Sequence, residues 1–156
     1  MTFRAKIFLS AFAAAAVAVL VSTTLVSWSV RQSLEQRIER ELTLEARLLA
    51  KALGQHGAVS AAALDAEADA IGRILGARVT FIAPDGRVVG DSDVTADQLR
   101  SVEGHADRPE IVDAKRQGVG VARRRSTTVR ADLLYVAIPV QNPAMPLLAF
   151  VRLALP

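Results

Sequence analysis

Cysteine is absent, so no disulfide braces this chain and no thiolate can serve as nucleophile or metal ligand. Histidine occurs only at His56 and His105, far apart and in no zinc-ligand spacing. Aromatic residues make up 4 %, too few for the stacking surfaces that single-stranded nucleic acid needs. The 19 Lys and Arg are interleaved with 16 Asp and Glu, leaving a net charge of +3 and no long basic stripe, so nucleic acid is not expected as a partner. One basic cluster stands out, Arg123-Arg124-Arg125 with Arg130 close behind. A catalytic nucleophile needs an adjacent base held by a third group. Two isolated histidines and scattered serines supply no such signature, so no catalytic residue, cofactor or metal is assigned to these residues.

Charge itself is missing from residues 7–30, IFLSAFAAAAVAVLVSTTLVSWSV, a run of 24 positions. As a helix it would measure roughly 36 Å, enough for a hydrocarbon core of about 30 Å with some tilt. Its hydroxyls are tolerable because a helical Ser or Thr can bond the carbonyl one turn earlier. Trp28 lies near one end, where indole favours the interface. Arg4 and Lys6 precede the run with no acid beside them, which predicts a cytoplasmic N-terminus (residues 1–6) and everything from Arg31 outside the inner membrane. The alternative is a cleaved signal peptide, but its apolar core runs only about 7–15 residues and ends in small-x-small. Ser27-Trp28-Ser29 has a bulky middle, and a charged segment follows at once. The expectation is an uncleaved transmembrane helix.

Residues 31–56 read as a membrane-proximal helix. Leu34, Ile38, Leu42, Leu49 and Leu53 fall on one apolar stripe, with alternating charge opposite. The stripe suits packing on a sheet and pairing with a second copy, so these residues are candidates for a dimer and signalling helix. Residues 57–156 are of ordinary single-domain size. Ser60 to Leu75 reads as a helix capped by Ser60 and stopped by Gly76. Val79 to Ala83 and Arg87 to Asp91 read as a hairpin around Pro84-Asp85-Gly86, where proline presets one φ and glycine relieves another. A short helix is expected in 95–102, a loop at 104–108 and a helix opening on Pro109. Strands are expected at 119–129, 131–140 and 147–155. Short connections favour antiparallel pairing of these last three.

Three segments, RVTFIAPDGRVVGDS at 78–92, HADRPE at 105–110 and ADLLYVAIPV at 131–140, occur in order behind the uncharged run. Together they resemble the extracytoplasmic sensor region of bacterial membrane histidine kinases of the phosphate-regulon sensor type. The resemblance implies an α+β fold: a long helix leaving the membrane, then a PAS-like, single-Cache domain with a five-stranded antiparallel sheet flanked by helices. It also implies a two-component role, in which ligand or partner binding moves transmembrane helices in a homodimer, upstream of phosphorelay to a response regulator. The kinase domains and second span that follow in the family have no motif within residues 1–156, so kinase activity is not assigned to them. The other reading is a bitopic envelope scaffold that binds a partner and signals nothing.

Candidate ligand residues follow. His105, Asp107 and Arg108 precede a helix whose first amides attract anions; the resemblance places this loop over the sheet. The bland alternative has Asp107 capping the helix and Arg108 paired with an acid. Arg123 and Arg125 are candidates from the basic cluster, although on a strand alternate residues face opposite ways and at most half can converge inward. Tyr135 sits in the apolar strand. Asp91, Ser92 and Asp93 are too few oxygens for calcium and suit strand-end capping better. The expected partners are the membrane, a second copy, and an unknown small ligand, ion or envelope protein.

Overall fold

A computed structural model describes residues 3–55, 57, 60–126 and 131–156, with the side chains of 4–11, 13 and 14 outside that description. His56 and Arg130 therefore lie outside the described residues, as does the end of the strand expected at 119–129. The chain divides into two units, residues 1–38 and 39–156.

The first unit is helical, the N-terminal part of α1 (Phe3–Leu53). Thr23 Oγ1 donates to the Val19 carbonyl at 2.8 Å and Thr24 Oγ1 to that of Leu20 at 3.0 Å, satisfying hydroxyls in an otherwise apolar stretch. Among the described residues no helix is long and apolar enough to cross a membrane. The expected span at 7–30 thus has helical geometry and no further support from the structure.

The second unit contains the C-terminal turns of α1, then α2 (Ala61–Leu75), β1 (Arg78–Ile82), β2 (Val88–Asp91), α3 (Ala96–Leu99), α4 (Pro109–Gln117), β3 (Gly120–Arg125), β4 (Asp132–Pro139) and β5 (Phe150–Leu155). Ser60 caps α2 by accepting from the Ala63 amide at 3.3 Å, and Gly76 ends it in the left-handed region. The strands form one antiparallel sheet in the order β2-β1-β5-β4-β3. The last strand inserts between the first hairpin and the β3–β4 pair. Thr80 lies opposite both Asp91 and Arg152, and Arg152 lies opposite Ala137.

Strand alternation gives the sheet two unlike faces. One carries Val79, Phe81, Val136, Ile138, Val151 and Leu153 and packs with Leu42, Ala46, Ala50 and Leu53 of α1 and Leu64 and Ala68 of α2. Burying a leucine or phenylalanine this fully contributes about 1.5–3 kcal/mol each. Asn142, in the turn before β5, donates from Nδ2 to the Leu53 carbonyl at 2.8 Å and so holds the end of α1. Leu42 and Leu53 are each 1 % exposed, committed to this core, with Leu49 packed against it. Leu34 and Ile38 are exposed in the first unit, and Leu44 and Leu48 are exposed in the second.

The helix thus has a buried leucine set and a solvent-facing one. Leu42→Ala is expected to cost about 2–5 kcal/mol by leaving a cavity, and Leu44→Ala within about 0.5 kcal/mol in the isolated protomer. Denaturant unfolding of both variants under dissociating conditions checks this.

Candidate functional site

The other face of the sheet is charged. Arg78 and Thr80 of β1, Asp91 of β2 and Arg152 of β5 are all buried, as is Glu110 in the first turn of α4. Arg78 grips Asp91 with two prongs, Nε to Oδ1 at 2.9 Å and Nη2 to Oδ2 at 3.0 Å. The Thr80 hydroxyl donates to Asp91 Oδ2 at 2.8 Å and accepts from Arg152 Nη2 at 3.0 Å. Arg152 Nη1 reaches Glu110 Oε1 at 3.3 Å, and Arg124 Nη2 of β3 reaches the same oxygen at 3.0 Å. The Tyr135 ring of β4 lies beneath two of these cations, 4.0 Å from the Arg124 guanidinium carbon and 5.0 Å from that of Arg152. Apolar groups flank the cluster: Ile82, Ile111, Ala114, Ala137 and Phe150 in one group, and Leu133, Tyr135 and Ala154 in another.

Local sequence explains how the cover is held. Gly86 has φ 86°, a conformation glycine adopts without strain, and closes the β1–β2 turn by donating to the Ala83 carbonyl at 2.9 Å. Its own carbonyl accepts from the His105 amide at 2.8 Å, which pins the loop carrying that histidine. At the other end Gly120 lets β3 run against the first turn of α4, because a Cβ there would collide with the Glu110 carbonyl. A cavity of about 320 Å³ opens beside Arg78 at the end of this face, bordered by Gly72, Arg73, Asp93, Leu133 and Ala154.

The electrostatics follow from burial. For Glu110, burial opposes ionisation, but the Arg124 hydrogen bond, its own backbone amide and the charges of Arg152 and Arg124 outweigh it and hold the carboxyl below its ordinary value. Burial also lowers Arg152 to about 10, against the pull of Glu110 and Asp91, so it remains a cation. His105 is lowered from 6.5 to about 3, first by burial and then by Arg152, Arg108, Arg124 and Arg78, so it is neutral at physiological pH. Four buried atoms have no hydrogen-bond partner among the described residues: His105 Nδ1, Glu110 Oε2, Arg124 Nε and Arg152 Nε.

The residues singled out from sequence fall in different places. His105 and Tyr135 are buried at the cluster. Arg108 is the N-cap residue of α4, and its side chain pairs with Glu103 at 3.1 Å. Asp107 is exposed and is not the N-cap. Arg123 and Arg125 share the opposite strand parity from Arg124; both are exposed, and Arg123 lies 3.9 Å from Glu39 of α1. Of the three adjacent arginines, Arg124 faces the cluster. Asp91 is occupied by Arg78 and Thr80, and its Oδ1 also accepts from the Asp93 amide at 3.0 Å, the capping role expected of that segment. Arg78, Thr80, Glu110, Arg124 and Arg152 were not expected as site residues. The available signal was an arginine inside an apolar strand, RVTFI or FVRLAL, where a charge at an inward position needs a buried partner.

The sheet therefore carries α1 and α2 on its aliphatic face and, on the other, a buried charged cluster covered by α4. The chain belongs to the single Cache-like family, whose model matches residues 29–156. Among solved structures it is similar to the V. cholerae histidine kinase DctB sensor domain, with a TM-score of 0.53 and 17 % identity over 72 % of this chain and 42 % of that one. At that identity the likeness is one of fold, and the chain spans less than half the length of that relative. No curated protein sequence matches the chain.

Neutral buried His105 makes acid destabilising. Between pH 6.5 and about 3 the unfolded chain binds the histidine proton and the folded one does not, so stability is complete above 6.5 and falls with pH by up to about 1.4 kcal/mol per unit. Glu110, also lowered, adds to the loss below its ordinary 4.5. Melting curves from pH 7.5 to 5 should show the wild type losing stability and His105→Gln losing less; parallel curves contradict the assignment.

Proposed function

We propose that this chain is the extracytoplasmic input module of a membrane histidine kinase, in which a small ligand or partner engaging the charged sheet face shifts a dimer between two arrangements of its membrane helices. The observation that carries this reading is the buried charged cluster enclosed between the sheet and α4, inside a domain of the single Cache-like family. A scaffold that only needs to fold gains little from it, since buried ion pairs are often no more stabilising than hydrocarbon of the same volume. In this reading residues 7–30 span the inner membrane, 31–56 form the signalling helix and 57–156 the periplasmic sensor domain. The uncharged run and the basic residues Arg4 and Lys6 before it support the span and its direction. The phosphate-regulon type is the finer assignment, supported by the three ordered segments, and it does not require phosphate as the bound molecule.

Signalling through such a module requires the stimulus to bind the two arrangements with different affinity, a coupling of about 1–3 kcal/mol. The dimer surface in this proposal includes the solvent-facing Leu44 and Leu48 of α1, because Leu42 and Leu53 are spent on the domain's own core. Cysteines placed singly at Leu44 and Leu48 in the membrane-embedded full chain are expected to crosslink on oxidation, while one at exposed Ile74 of α2 is not. Absence of crosslinking at Leu44 and Leu48 contradicts the dimer. A periplasm-dependent reporter fused at Pro156 should be active; activity of a cytosol-dependent one instead overturns the orientation.

A further inference from the structure

Residues 100–108 join α3 to α4, and of them only His105 is buried, at 7 % exposed. Its imidazole is the anchor of this loop. Two further contacts tie the loop to the hairpin turn. The His105 amide donates to the Gly86 carbonyl at 2.8 Å, and Ala106 packs so closely on Gly86 that a Cβ there would collide with it. The Arg108–Glu103 pair, at 3.1 Å, lies within the loop itself and adds no tie to the sheet. A segment held by so few buried contacts opens at a lower cost than the domain unfolds.

The anchor suits a neutral ring only. An imidazolium carries a proton on both nitrogens and needs an acceptor for each. His105 Nδ1 is buried with no hydrogen-bond partner among the described residues, and since Glu110 Oε2 is unpartnered too, the two do not bond each other. Positive charge acts on the ring from four places: Arg152 of β5, Arg108 at the start of α4, Arg124 of β3 and Arg78 of β1. The nearby carboxylates are committed elsewhere: Glu110 Oε1 to Arg124 and Arg152, Asp91 to Arg78 and Thr80, Glu103 to Arg108, and Asp85 to Arg87 in the hairpin turn. Asp107 is exposed. Released into water, the ring takes a proton near its ordinary 6.5. Glu110 and Asp85 are both held below their ordinary values, so they stay ionised where the freed histidine titrates. Resting on the sensor reading, we propose that the 100–108 loop is an acid-released latch: protonation of His105 frees the loop from the hairpin turn and loosens the start of α4, which makes a fall in external pH a stimulus of this module. The acid cost of His105 falls on the loop before it falls on the whole domain.

Hydrogen exchange on the full chain in mild detergent at pH 7.5 and 5.5, corrected for the intrinsic effect of pH on exchange, locates the opening. With the open loop titrating at 6.5 and the closed one at about 3, the open population should rise about tenfold over that interval. Amide protection across 100–112 should fall by that factor, while α2 and the α1 turns from Leu42 to Leu53 keep theirs. In His105→Gln, which retains His56, protection across 100–112 should be the same at both pH values; a fall that persists in this variant overturns the proposal. Should the variant not fold, the wild type decides alone: no loss across 100–112, or an equal loss in α2, overturns the latch. Oxidative crosslinking of Leu44→Cys reads the stimulus, with and without His105→Gln. The two backgrounds should match at pH 7.5 and differ at pH 5.5. Equal crosslinking at pH 5.5 overturns acid as a stimulus and leaves the sensor reading in place, whereas no crosslinking in either background at either pH contradicts the dimer on which that reading rests.

Discussion

The contact on which the charged side of this domain depends is the one between Arg152 of β5 and Glu110 of α4. Arg152 is 2 % exposed and Glu110 wholly buried, and the same Glu110 oxygen also takes Arg124. Through Thr80 the guanidinium of Arg152 is joined to Asp91 and so to Arg78. One chain of hydrogen bonds therefore crosses β2, β1 and β5 and ends on the helix that covers them. Removing one member of such a cluster strands a charge in low dielectric, at a cost of about 3–5 kcal/mol.

That chain explains why the two faces of the sheet behave differently. The α1–α2 side is closed by interdigitated aliphatic groups, non-directional and insensitive to pH. The α4 side is closed by directional, charge-assisted bonds with apolar contacts only at its flanks. The charged groups of the second face hold α4 to the sheet through Glu110.

Much of the fold was legible where a residue type has one local job. Ser60 and Gly76 bound α2, and Pro84-Asp85-Gly86 turns the hairpin, because capping and turn chemistry act within a few residues. The placement of β5 beside β1 was not legible, since pairing residues near 80 with those near 150 is a long-range choice that no local spacing encodes. The site divides in the same way. His105 was named for its loop ahead of the Pro109 helix and Tyr135 for its place in the apolar strand. Arg124 was hidden by its neighbours: three adjacent arginines carry no parity, and only the pairing Arg123↔Leu134, Arg124↔Leu133 fixes which one turns toward the cluster. Arg152 and Glu110 were missed because their meaning lies in each other, 42 residues apart.

The most direct test of this account is hydrogen exchange on the full chain in detergent, comparing wild type with Arg152→Met, which keeps the length of the side chain and removes its charge. Amide protection is expected to fall in α4 and around His105, with α2 and the α1 turns from Leu42 to Leu53 protected as before. Uniform loss across both faces, or none at α4, would contradict the claim that this buried cation holds the cover in place.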